Sequence, residues 1–228
     1  MKLNATGGTD GANIVLYWPD HLPNDADARL KDDPVEQIEQ LERDGKLIVF
    51  PCDGDGAYSL AVFVREEPPA ELMRYCREAK TYRSVLVHGD GYFGGAEYVC
   101  KCDCAFRTKY PHMSTKIAIP DGAYGATLYE VEPPEELESQ WLRERAGRAG
   151  AAVSNVVGVL VVGVVVCAFA SLIGLGFMTW TVWFCVAGAG IVLAALAWAL
   201  SRTAGYRAVA DARAEFERAY PAYVLSLA

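Results

Sequence analysis

The dominant pattern in the chain is one run without a charged side chain. From Ala149 to Ser201 there is no Asp, Glu, Lys or Arg. A single membrane crossing takes about 20 apolar helical residues, so this run suits two. Glycines and aromatics cluster in GLGFMTW, Gly174 to Trp180, and divide it. The pattern predicts helices over 151–173 and 178–200, together a transmembrane hairpin spanning 151–200. A small domain could hardly cover two such helices on all sides, which argues against a buried pair.

Before the hairpin, apolar residues come in short strand-like runs. Two stretches read alike: DGAYSLAVFVREEPPAEL, Asp55 to Leu72, and DGAYGATLYEVEPPEEL, Asp121 to Leu137. Each follows an apolar run, KLIVFP or KIAIP. Asp-Gly between β-rich runs predicts a hairpin, and Pro followed by Glu predicts a helix start. This gives a duplicated ββα unit over about 46–76 and 116–142. Between the copies, YRSVLVHG and AEYVCKC (Ala96 to Cys102) read as strands joined by DGYFGG. Upstream, NIVLYW reads as a strand. DPVEQIEQLERDGK reads as a helix with Val35, Ile38 and Leu41 on one face and Gly45 as its stop.

The expected fold class is therefore α+β. A mainly antiparallel sheet with the duplicated unit occupies 1–140. A juxtamembrane helix over 141–150 leads into the hairpin. A C-terminal cytosolic helix, amphipathic over YRAVADARAEFERAY, occupies 201–228.

Charge adds orientation. Arg143, Arg145 and Arg148 precede the first span, and Arg202 and Arg207 follow the second, whereas the hairpin tip has no basic residue. Positive flanks on both outer ends predict a membrane protein with both termini cytoplasmic. The opening MKLNATGGTDG is polar and does not read as a signal peptide. Trp141, Trp180, Trp183 and Trp198 fit an aromatic belt. The first 140 residues hold 25 acidic and 14 basic side chains, the remainder 4 and 7. An acidic soluble domain disfavours nucleic acid and favours a basic protein partner, with the lipid bilayer as the other partner. Small residues at Ser154, Gly158, Gly190 and Ala194 allow close helix packing within the hairpin or oligomerisation through it.

Candidate chemistry is sparse. No nucleophile elbow and no His-Glu-x-x-His occurs, no catalytic residue is assigned, and no cofactor is expected. Asp53 and Asp55 sit in a turn that lacks the twelfth-position glutamate of a calcium loop. Tyr92 and Phe93 are expected at an exposed hairpin tip. With Asp53 and Asp55 they form the candidate partner-binding set. Cys100, Cys102 and Cys104 alternate as on one face of a half-buried strand, a pattern that differs from ordinary zinc spacing. A metal site would need Cys52, His88 or His112 beside them.

GDGAYSLAVFV, the following PPAEL and the later YFGGAEYV resemble bacterial immunity-type domains encoded beside toxins, over Leu47 to Val99. That resemblance implies toxin neutralisation by binding, with no catalytic residues. The leading expectation is a membrane-anchored, cytosol-facing protein-binding module, not an enzyme, acting as an immunity or regulatory protein. The alternatives are a ligand-sensing effector whose hairpin oligomerises to perturb the membrane, and a cysteine-ligated metalloprotein.

Overall fold

The structure, a computed structural model, describes residues 1–11, 13–52, 54–102, 109–174 and 179–228. It divides into two units, Met1–Pro133 with Glu217–Ala228, and Pro134–Phe216.

The first unit is a sandwich of two sheets. Its strands are β1 (Lys2–Thr9), β2 (Asn13–Tyr17), β3 (Leu47–Pro51), β4 (Gly56–Val64), β5 (Cys76–Val87), β6 (Gly91–Gly95), β7 (Ser114–Ile117), β8 (Gly122–Val131) and β9 (Tyr223–Leu227). One sheet has the order β1-β4-β9-β8-β5 and the other β3-β2-β6-β7. All described pairings are antiparallel except β4 with β9.

Period-two alternation builds the core between the sheets. Ile14 and Leu16 of β2, Leu60 and Val62 of β4, Leu128 of β8 and Leu225 of β9 share one buried cluster. The alternate residues serve the outer faces. Val15, Tyr17 and Leu47 pack beneath α1 (Ala26–Asp32) and α2 (Pro34–Arg43), against Ala26, Ile38 and Leu41. Ala61, Phe63 and Val224 pack with Leu72 of the one-turn α3 (Ala70–Met73). Central strands covered on both faces read as continuous apolar runs, as NIVLY and SLAVFV do.

The paired Asp-Gly turns are not hairpins. β3 and β4 belong to different sheets, as do β7 and β8. β3 and β4 are apolar strands needing cover on two faces, so their link carries the chain from one layer to the other, whereas β7, STKI, is a short edge strand of the second sheet. All four links β1 to β2, β3 to β4, β5 to β6 and β7 to β8 change sheet, and each carries Asp-Gly. Exchanging β1–β4 for β5–β8 reproduces both strand orders, with β9 at the centre. The hydroxyls of Tyr58 and Tyr124, one in each DGAY, donate to the carbonyl four residues upstream, Gly54 O and Pro120 O, at 2.8 Å in both cases.

The C-terminal segment also departs from expectation. Residues 204–219 do form a helix, but the chain then adds β9 to the middle of the first sheet. The sandwich is thus built from residues on both sides of the apolar hairpin.

The second unit contains α4 (Glu135–Gly174), α5 (Trp180–Ser201) and most of α6 (Ala204–Ala219). Two segments, Ala152–Gly174 and Trp180–Ser201, are long and apolar enough to cross a membrane and are almost wholly exposed. Gly190 faces Cys167 and Gly163 faces Leu193, each so close that an added Cβ would lie at 3.1 Å, which lets the two spans approach. Gly158 has open space around it, and Ala194 is exposed. Trp183 of α5 donates its Nε1–H to Ser171 O of α4 at 2.9 Å, and Trp180 stands 73% exposed beside it. Trp198 carries Arg202 over its ring at 4.8 Å.

Trp141 lies in α4 ahead of the first apolar segment. Its Nε1–H donates to Ala212 O at 3.1 Å and its ring meets Phe216 edge-on, so it joins α4 to α6. Gly150 and Gly205 let those helices touch backbone to backbone. α4 is not one straight rod: Gly147, at φ 74° and ψ 164°, breaks it in a conformation essentially restricted to glycine.

Candidate partner-binding groove

The predicted contact residues do not converge. Asp53 lies outside the described residues, and Asp55 is exposed. Phe93 is fully buried, packed edge-on against Phe50 at 5.2 Å, so its expected exposure is overturned. The reason is that GYFGG is strand β6, paired on both sides, rather than a loop. Its glycines permit close backbone approach: a Cβ at Gly94 would lie 2.7 Å from Met113 O. Tyr92, on the opposite face, is half-buried beside Tyr17.

The strand expected over Ala96 to Cys102 is also absent. A 3-10 turn spans Ala96–Tyr98, and the chain beyond is fixed by α1. Asp27 accepts from Lys101 N at 2.6 Å and Cys102 N at 3.0 Å. Cys100 is buried, Cys102 exposed and Cys52 half-buried, while Cys104 lies outside the described residues. His112 meets Tyr110 edge-on at 6.3 Å. Among the described residues no three such groups gather as metal ligands.

The fold does bring two histidines together, although 67 positions separate them. His21 and His88 meet edge-on at 6.2 Å. Asp121 shares a hydrogen bond with His88 Nδ1 at 2.7 Å and accepts from Gly89 N at 2.9 Å. Burial, then the neighbouring His88, lowers the pKa of His21 below its ordinary 6.5. The hydrogen bonds from Gly89 and His88 lower that of Asp121. For His21 the unfolded chain takes up its proton first. Stability is therefore lost as pH falls below about 6.5 toward the folded pKa. The depressed Asp121 acts in the same direction, further down the scale. Urea midpoints measured from about pH 7 to about pH 5 should fall, and His21→Gln should flatten the upper part of that decline.

The sandwich carries a cavity of about 430 Å³ between α2, β2, β3 and the Ala96–Tyr98 turn. Asp33 caps α2 by accepting from Glu36 N at 3.1 Å, and Pro34 occupies the first turn. That start sets Val35 and Ile38 over Val49 and Ala96. Val35 is 68% exposed, an uncovered apolar side chain at the mouth. Glu39, Glu42 and Glu97 ring the opening. Glu42 is held by Tyr82 Oη at 2.6 Å and Lys80 Nζ at 2.8 Å, and burial of Tyr82, then its hydrogen bond to Glu42, raises the Tyr82 pKa. Glu97 accepts from Asp10 N at 2.7 Å and Thr9 Oγ1 at 3.1 Å. Backbone and hydroxyl donors orient Glu97 without neutralising it. Nothing in the local sequence joins α2 to residues 96–97, and Val35, expected on one face with Ile38 and Leu41, stands exposed at the start of the helix while those two are buried.

No protein-family model matches the chain, and no curated protein matches it. One solved structure, described as crocagin biosynthetic gene J, aligns at 15% identity with a TM-score of 0.37, over 57% of this chain and 79% of its own.

Proposed function

We propose that the chain is a membrane-anchored protein-binding module, of the immunity or regulatory kind, whose sandwich takes a basic amphipathic segment of a partner into the α2 groove. The observation that carries this reading is an apolar floor with an exposed valine, framed by three glutamates. An apolar centre with a charged rim is how protein interfaces combine affinity with orientation. The anchoring half rests on the two exposed apolar helices. Strands preceding and following them share one sheet, so the chain must return to the side it left, which an even number of crossings achieves. The arginine flanks favour the cytoplasmic side of a bacterial inner membrane. We read the matched strand orders as two copies of a four-strand unit, larger than the ββα repeat.

A photo-crosslinker at Val35 in the full chain tests the binding role. Capture of one partner should weaken with salt and fall at least about tenfold, ~1.4 kcal/mol, in Glu39→Lys. Capture indifferent to salt and to Glu39→Lys would remove the groove from the function.

A further inference from the structure

A second cavity, about 710 Å³, lies wholly within the helical unit. Ser154, Asn155, Tyr206 and Arg213 line it together with Val157 and Val161. We propose that this cleft binds an anionic phospholipid, with the phosphodiester on Arg213 and Tyr206 and the upper acyl chain along Val157 and Val161. This rests on the membrane-anchored reading above.

The polarity of the lining changes where a lipid's does. The apolar segment begins at Ala152, so Ser154 and Asn155 lie in its first turn. Val161 is about two turns, roughly 10 Å, deeper along the helix. The opposite wall belongs to α6, where Tyr206 and Arg213 stand seven residues apart and so share a face. Gly158 leaves the floor open, with no atom within 4 Å of where a Cβ would be. Charge complementarity selects the occupant. Arg213 turns Nε toward Glu138 at 3.5 Å, leaving the rest of its planar fork for a phosphate. Cytoplasmic leaflets carry anionic lipid at that depth. A free phosphate would leave the valine-lined depth unused, which is why a lipid is chosen.

The test uses the full chain in vesicles of equal phosphatidylglycerol and phosphatidylcholine, with native mass spectrometry of the lipid retained after detergent extraction. Wild type should retain phosphatidylglycerol preferentially. Arg213→Ala and Gly158→Leu, one removing the cation and the other filling the floor, should each cut retention at least about tenfold. Glu138→Gln breaks the same ion pair as Arg213→Ala, yet should keep the lipid. A loss shared by Glu138→Gln would mean that only helix packing had been disturbed, and would overturn the site. So would equal retention of both lipids, indifference to both variants, or displacement by inorganic phosphate. Alkaline extraction separates the two readings. A chain that stays in the membrane but retains no lipid loses only this site. A chain that washes off loses the anchor and the site together.

Discussion

A chain ending at Phe216 should not form the sandwich. It lacks β9, which lies between β4 and β8 at the centre of the first sheet. Tyr223, Val224, Leu225 and Leu227 are each at most 4% exposed. Burying a side chain of this size contributes about 1.5–3 kcal/mol, so the four together contribute on the order of 6–12 kcal/mol. That equals the whole stability of an ordinary domain, about 5–15 kcal/mol. The loss would also open two apolar strand edges, an invitation to aggregation. The complementary chain should fold. β8 and β9 are antiparallel neighbours, Glu130 opposes Tyr223, and Val131 N donates to Ala222 O at 3.0 Å. Replacing residues 133–221 by a short Asn-Gly turn should therefore yield a soluble sandwich. Circular dichroism and gel filtration would compare the two chains. A folded, monomeric truncation at Phe216 would show that β9 is dispensable.

Gly7→Ala should cost about 3 kcal/mol, near the upper end of overpacking effects. A Cβ at Gly7 would lie 2.7 Å from Phe93 O and 2.9 Å from Gly94 Cα, and neither backbone atom can swing aside. β1, the edge strand of the first sheet, crosses the interior strand β6 of the second sheet at this point. Its neighbour is the internal control. A Cβ at Gly8 would meet Met113 Sδ at 2.9 Å, the far end of a flexible side chain. Gly8→Ala should therefore stay within about 1 kcal/mol of wild type. Equal urea midpoints for the two variants would refute this account of the crossing.

These two regions were also the least legible from the sequence. β1 is polar and glycine-rich, and its small residues are explained by a strand that lies elsewhere in the chain. β9 is five residues long and meets partners across the entire hairpin, a pairing that no local pattern encodes. The VCKC alternation imitated a strand because period two is a weak signal over four residues; Asp27, on a different helix, decides the backbone there. Phe93 was misplaced for a related reason, since glycines that permit close packing look like glycines that make a turn. By contrast, the apolar spans and α2 were readable, because a helix carries its periodicity and its caps within its own sequence. The DGAY repeat did mark equivalent places, at the starts of β4 and β8, but not which strands would pair. The groove could not have been read at all, because α2 and residues 96–97 meet only after the second sheet forms.

The insertion of the helical unit ahead of β9 also imposes an order on synthesis. Pro134–Phe216 must be translated between β8 and the strand that completes the sheet. At about 5–20 residues per second, these 83 residues take roughly 4–17 s. During that interval β4 and β8 lack the strand that joins them in the first sheet. The apolar hairpin emerges while they wait, so the sandwich reaches its final form only after both helices have left the ribosome.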